Sequence, residues 1–461
     1  MGILSTLPEE LRGELLKHLG FDGKIRLSAT CKAYRAWLAP ELFETIRFNN
    51  LSEKSTASAL AAVEAYGHYT TRIEFTCTAE PEEQDTEETG FTHPALPPAA
   101  RKILEGLATP NLRTAEIRFY FKFDEDEEGW DEDDEGLSVR GSDVFWEIDN
   151  DNDLILTKEQ RWEWRAVMKE TWEALATNSS VRELICEDFI PKWVSTFRTD
   201  AFRQFLGRLE SATFNIVSLN GDDNALRSYL DGYFSFLANL DDSFFHHMTA
   251  LKHLHIQAAD PLGCFQDEPH YTPLALKSRD LPALTSLKLE HCFVCSELVL
   301  FVQSHAQILK SLDVNDCFAL GDNLGRTTIH GPNWADFFDA VFKASPALTA
   351  LNAGRSTTFF TQDGKISHYY FRPGDVQHIS QAMEADPKVR LFGYAHIERI
   401  ALFVVQSLST MENFMKGDDQ RAYERLMGCV AENVGREDEQ RRQEQRMGLA
   451  VEKDARELRL N

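Results

Sequence analysis

Seven stretches of the chain share the pattern Leu-x-x-Leu-x-Leu or a weaker form of it, and this repetition restricts the possible folds more than any other feature. The copies are LTSLKLEHC at 284–292, LKSLDVNDC at 309–317, LKHLHI at 251–256, LTAL at 348–351, and the weaker VRELIC at 181–186, LESATF at 209–214 and LRTAEI at 112–117. Alternating apolar residues predict a strand with one buried face. Several such strands must lie side by side to share a core.

Segments with helical periodicity separate the copies, for example AFRQFLGRL at 201–209 and ELVLFVQSHAQIL at 297–309. A short parallel strand followed by a covering helix, repeated along the chain, is typical of leucine-rich-repeat proteins. We therefore predict a leucine-rich-repeat-like α/β solenoid. The clear copies begin at 251, 284, 309 and 348, which are 33, 25 and 39 residues apart. This irregular spacing requires insertions, and another α/β arrangement is the alternative.

The first fifty residues have a different pattern, that of three short helices. Pro8 suits a first helical turn because its missing N–H is not needed there. Leucines then recur every four residues, and a second apolar stripe follows in the next helix. The apolar positions are Leu11, Leu15, Leu16 and Leu19 in the first helix and Leu27, Cys31, Tyr34 and Leu38 in the second. Pro40 is expected to end the second helix, and PELFETIRF is expected to begin a third. Three such helices bury too little surface to be stable without a partner.

This N-terminal segment, residues 4–48, resembles an F-box. The resemblance rests on the Leu7-Pro8 start, the leucine stripe up to Leu19, the step from Leu27 to Cys31-Lys32, and the Pro40-Glu41-Leu42-Phe43 close. Gly23 and Lys24 depart from the apolar residues that the family often has there. The resemblance implies that the apolar helix faces bind a Skp adaptor. The expected contact residues are Leu7, Pro8, Leu11, Leu15, Leu16, Leu19, Ile25, Leu27, Cys31 and Tyr34.

F-box modules dock on the Skp adaptor, which a cullin-RING ubiquitin ligase holds, and they usually precede a domain that binds the target. The resemblance therefore implies a substrate-recognition subunit of a Skp-cullin-F-box ligase, with an unknown protein as its target. An F-box-bearing scaffold that does not lead to ubiquitination is the alternative.

The chain's net charge of −26 argues against a nucleic-acid surface. Much of it lies in two runs, six acidic residues within 80–88 and ten within 124–135. Such runs repel themselves, so we predict acidic loops near 80–90 and 124–135. The longest apolar stretches, such as IALFVV at 400–405, are too short to span a membrane. Eight cysteines without a framework spacing indicate reduced thiols in the cytoplasm or nucleus.

The sequence contains no phosphate-binding loop, no dinucleotide fingerprint and no nucleophile elbow. The best metal-like set is His291, Cys292, Cys295 and His305. Cys292 already ends a predicted strand, so buried structural cysteines are the preferred interpretation. His253 and His255 alternate with apolar residues and are expected to point from a strand toward the concave surface of the repeat array, either as partner contacts or as surface histidines without a function. We expect a non-catalytic adaptor without cofactor or metal.

The predicted organisation is a small three-helix F-box at 1–50, a linker helix at 51–66 and a leucine-rich-repeat-like substrate-binding domain at 67–395. A helical cap is expected at 396–430, followed by a charged tail at 431–461 that is either helical or disordered.

Overall fold

The structure is a computed structural model of the chain. It describes residues 8–79, 94–121, 141–149, 151–217, 230–263, 272–320, 331–361, 363–397 and 403–460. Leu7 and the two acidic runs at 80–88 and 124–135 lie outside the described residues.

Three helices open the described chain: α1 (Glu9–Lys17), α2 (Phe21–Thr30) and α3 (Lys32–Leu42). The predicted third helix is wrong, because the segment Thr45–Asn49 forms a strand, β1. Pro40 does not end a helix either. It lies in the last turn of α3, where a missing N–H costs one hydrogen bond rather than breaking a long helix.

Eleven strands form one sheet, in the order β1-β2-β3-β4-β5-β6-β7-β8-β10-β11, with β9 also paired to β8. The further strands are β2 (Arg72–Ala79), β3 (Thr114–Phe121), β4 (Glu183–Phe189), β5 (Ser211–Ile216), β6 (His253–Leu262), β7 (Ser286–Phe293), β8 (Ser311–Leu320), β9 (Ala350–Asn352), β10 (Gly393–Ile397) and β11 (Phe403–Val405). All pairings are parallel except the antiparallel pair of β10 and β11. Strands β1 to β8 each lie beside the next strand in the chain, whereas β9 and β10 both pair with β8 and, within the described chain, not with each other.

One face of the sheet carries a continuous row of buried apolar side chains. Register partners across nine strands make up this row: Ile46, Ile73, Ala115, Leu184, Ala212, Leu254, Leu287, Leu312 and Leu351. Each of these side chains is less than a tenth exposed. The second leucines of the motif copies, such as Leu254, Leu287 and Leu312, are thus strand residues that point into one common core, as their alternation predicted.

Helices α4 to α13, between the strands, pack on this apolar face. They are α4 (Glu53–Tyr66), α5 (Pro98–Glu105), α6 (Gly141–Trp146), α7 (Asn152–Arg161), α8 (Glu163–Thr177), α9 (Asp200–Arg208), α10 (Asp231–Ala238), α11 (Leu240–Ser243), α12 (Ser296–Ser304) and α13 (Trp334–Lys343). Helix α14 (Pro373–Ala385) packs in a second cluster, in which its Val376 and Ile379 lie with Phe318 of β8. Trp172, Phe205 and Phe337 are helix residues in the same buried cluster as the strand leucines. Parallel strands require such crossover connections, and apolar helix faces then cover the sheet.

The C-terminal residues form two helices, and the second of them contributes to the main core. After β11 come α15 (Ser407–Lys416) and α16 (Asp418–Leu460), a helix of 43 residues. Ala422, Leu426 and Val430 of α16 are buried in the main core, whereas its charged second half contributes no residues to that core among those described.

The predicted fold class, an F-box followed by a leucine-rich-repeat-like solenoid with a helical cap and tail, is wrong. Strand β1, within the predicted F-box, belongs to the same sheet as the rest. The starts of β3 and β4, Thr114 and Glu183, are 69 positions apart, far beyond a leucine-rich repeat. The predicted cap contributes the antiparallel strand β11. The observed fold is a mostly parallel α/β sheet. The Leu-x-x-Leu-x-Leu motif led to the wrong fold class because it indicates which strand residues are buried. It does not indicate how many residues connect one strand to the next.

Candidate functional site

The three N-terminal helices share a small core. Leu16 of α1 packs with Leu38 and Leu42 of α3, and Leu19 and Leu27 lie at its margin. So few buried side chains contribute only modestly to stability, since each removes a limited apolar area from water.

The predicted adaptor-contact residues divide into three groups. Leu11, Ile25, Cys31 and Pro8 are exposed; Leu15, Leu19, Leu27 and Tyr34 are half-buried; and Leu16 is buried, so that its side chain belongs to the internal core. Leu7 lies outside the described residues. The structure therefore brings most of this set to the surface of one small helical unit.

Phe21 is a surface residue that the sequence analysis did not select. It begins α2, four positions before Ile25, so the two side chains lie on the same side of that helix. Phe21 and Leu11 are each 55% exposed and Ile25 is 45% exposed. The sequence signal that could have selected Phe21 is the apolar pair that it forms with Ile25 at positions i and i+4. Exposed large apolar side chains on neighbouring helices mark a surface that a partner can cover.

A second candidate surface is the polar face of the sheet, here called the open face. It consists of the residues that alternate with the buried row. Its central cross-strand row, from β1 to β9, is Arg47, Glu74, Glu116, Ile185, Thr213, His255, Lys288, Asp313 and Asn352. All of these are exposed or half-buried. His253 and His255 lie on this face, in the orientation that their alternation predicted.

The charged side chains on the β1–β3 part of the open face form ion pairs. Arg47 pairs with Glu74, and Arg72 pairs with both Glu74 and Glu116. The hydrogen bond and the charge of Arg47 lower the pKa of the Glu74 carboxyl below its usual value, against the effect of partial burial. A hollow of about 280 Å³ lies at these strands, lined by Arg47, Phe48, Asn49, Ser55, Glu74, Phe75, Thr76, Glu116 and Arg118.

The metal-like set of the sequence is not assembled into a site. His305 lies within hydrogen-bond distance of the carbonyl oxygens of Asp280 and Phe301, each at 2.9 Å, so both ring nitrogens are engaged. Cys292 and Cys295 are buried, and burial raises the pKa of the Cys295 thiol to about 12. In the described parts of the chain, no group of three or more His, Cys, Asp or Glu side chains has the arrangement of a metal site.

No protein-family model matches this sequence. No curated protein matches it either. A search of solved structures returned a chain described as "Structure of L-ribulose 3-epimerase", 12% identical, with a TM-score of 0.18, covering 82% of this chain and 95% of that chain.

The expectation of a non-catalytic protein differs from the description of the matched chain, which is that of an epimerase. We do not retain that expectation. A TM-score of 0.18 lies below the level at which two chains share a fold, so no activity is transferred from the epimerase. Among the described helices, none combines the length and the apolar character needed to cross a bilayer.

Proposed function

We propose that this chain is a substrate-recognition subunit of a Skp-cullin-F-box-type ubiquitin ligase, docking the Skp adaptor through α1–α3 and binding a protein target through the open face. The observation that supports this most is the exposure of Leu11, Phe21 and Ile25 on a helical unit with a small core. A partner that covers these side chains removes apolar surface from water and completes that core.

The open face supports the second half of the proposal. It is a wide polar surface formed by β1–β9, and its polar groups suit recognition of another chain by hydrogen bonds and charge. In this proposal the protein works in the cytoplasm or nucleus, without a nucleic-acid or membrane partner.

The test is affinity purification from cells with the proteasome inhibited, comparing the full chain with a variant that lacks residues 1–42. The deletion ends before β1, so it leaves the edge strand of the sheet in place. We expect the adaptor and cullin to be recovered with the full chain and lost with the shortened one. Recovery of the adaptor without cullin favours the scaffold alternative. Failure to recover the adaptor with the full chain contradicts the proposal.

A further inference from the structure

The charge of the open face changes from one half to the other. From β4 to β9, apart from Asp188, which pairs with Arg118 of β3, its charged residues are five carboxylates, Glu183, Glu187, Glu290, Asp313 and Asp316, against a single lysine, Lys288. We call these five the acidic half-face. By contrast, each arginine on β1–β3 is paired with a carboxylate, including Arg118 with Asp188 at 3.5 Å.

Within the described residues, most of the acidic half-face forms no ion pair with a basic side chain. Glu290 pairs with Lys288 and lies 3.5 Å from His255. The other four carboxylates, among the described residues, accept hydrogen bonds only from neutral groups. Their donors are Thr114 for Glu183 (2.7 Å), Asn215 for Glu187, the Asn352 amide and the Asn315 backbone for Asp313 (3.0 and 3.1 Å), and the backbone and hydroxyl of Thr357 for Asp316 (2.6 and 3.0 Å).

The acidic half-face also has hydrogen-bond acceptor positions that no donor fills. A carboxylate has about four acceptor positions, so these groups retain unused ones. The side-chain oxygen of Asn215 is buried and has no hydrogen-bond partner in the described structure. His255 adds no full positive charge at neutral pH, because burial and the nearby Lys288 lower its pKa, against the attraction of Glu290 and Asp313. This surface offers acceptors and requires donors.

We propose that the acidic half-face binds an extended, lysine- or arginine-bearing segment of the target protein. This inference rests on the proposed function and specifies the kind of target. Glu187 on β4 and Asp316 on β8 are four strand intervals apart, about 19 Å at ~4.8 Å per interval. An extended segment covers that distance in about six residues, so its basic residues are expected about six positions apart. The net charge of the whole chain, −26, is negative like the acidic half-face, so it also attracts a positively charged segment.

The test measures fluorescence anisotropy of three labelled synthetic peptides of about fifteen residues with the full-length protein. The first carries two pairs of lysines about six positions apart, the second has the same composition with contiguous lysines, and the third has glutamate in place of lysine. The test variant is Glu187→Gln, Asp313→Asn, Asp316→Asn, which keeps side-chain shape. The control variant is Glu64→Gln, Asp231→Asn, Glu384→Gln, which removes the same charge from exposed positions on α4, α10 and α14.

We expect the spaced lysine peptide to bind most tightly, and the test variant to bind it at least tenfold more weakly than the control variant does. Affinity is expected to fall when NaCl rises from 50 to 200 mM, as for any charge-driven contact. Equal affinities of the two variants, a preference for the glutamate peptide, or no binding of the lysine peptide at millimolar concentration overturns the inference. Adaptor binding is measured on the same samples. A protein that binds the lysine peptide through this face but not the adaptor retains the site and refutes the proposed function.

Discussion

Asp149 lies at the centre of a buried charge cluster. Removing its charge is expected to lower the free energy of unfolding by a large amount that can be estimated. Its carboxylate accepts from Lys158 at 2.7 Å and lies 2.9 Å from Arg165 and 3.3 Å from Lys192. These cations belong to α7, α8 and the loop after β4. The side chain of Arg165 is 1% exposed and that of Lys192 is 3% exposed. The carboxylate of Asp149 therefore lies close to positive charges from three segments of the chain.

The substitution Asp149→Asn keeps the shape of this side chain and removes its charge. Burial is the main influence on Lys192 and lowers its pKa to about 8, even with Asp149 beside it. Without that carboxylate Lys192 is expected to lose its proton at pH 7, whereas Arg165 stays charged and keeps only the weaker attraction of Glu159 and Glu147. Breaking a buried pair in this way costs about 3–5 kcal/mol. Typical domain stabilities are about 5–15 kcal/mol, so the loss is a large fraction of the total.

Equilibrium urea unfolding at pH 7, followed by circular dichroism, measures this loss. The control is Asp153→Asn, which changes an exposed carboxylate in the first turn of α7 and is expected to cost less than about 1 kcal/mol. Adding Lys192→Met to Asp149→Asn removes the buried amine whose deprotonation on folding costs stability, and should recover part of the loss. A loss below about 1 kcal/mol for Asp149→Asn refutes the assignment of a buried, charge-compensating role.

Three other predictions follow from the core, the C-terminal helix and the acidic runs. Leu312→Asp places a charge in the buried row and should abolish the cooperative melting transition, whereas Ser311→Asp on the open side of β8 should melt within a few degrees of wild type. Burial raises the pKa of Asp419 from 3.8 to about 6. The stability associated with its protonated form is therefore present below about pH 4 and lost as pH rises through 6, and melting temperatures of Asp419→Asn should lack that decline. Deleting residues 124–135 should change the melting temperature little, since loop shortening alters closure entropy by only tenths of a kcal/mol; loss of folding would show that this segment packs.

The strands with a leading leucine motif were predictable, and those without it were not. Leu287 and Leu312 lie where the Leu-x-x-Leu-x-Leu pattern places buried strand residues. Strands β1 and β2 contain the same alternation, for example Ile73 and Phe75, but no preceding leucine pair marks it. A strand of five residues such as β1 is also short enough to be mistaken for the end of a helix.

The candidate surfaces were only partly predictable for the same kind of reason. Exposed apolar positions on α1 and α2 follow from local helical periodicity, so Leu11 and Ile25 could be selected from the sequence. The open face requires the register of strands far apart in the chain, and Glu187 and Asp316 have no local pattern that connects them. The Asp149 cluster depends on tertiary packing and was likewise not predictable.

Calorimetric titration of the purified Skp adaptor into the full-length chain tests the central claim most directly. The test variant is Leu11→Ser, Ile25→Ser, and the control is Leu107→Ser, Leu300→Ser, which changes two exposed leucines outside the N-terminal helices. Loss of one buried interface side chain costs about 1–3 kcal/mol. We therefore expect the test variant to bind roughly ten- to a thousandfold more weakly, with the control and the melting temperature nearly unchanged. Absence of adaptor binding by the wild-type chain at micromolar concentrations, or equal affinity of the two variants, contradicts the proposal that α1–α3 are an adaptor-docking unit.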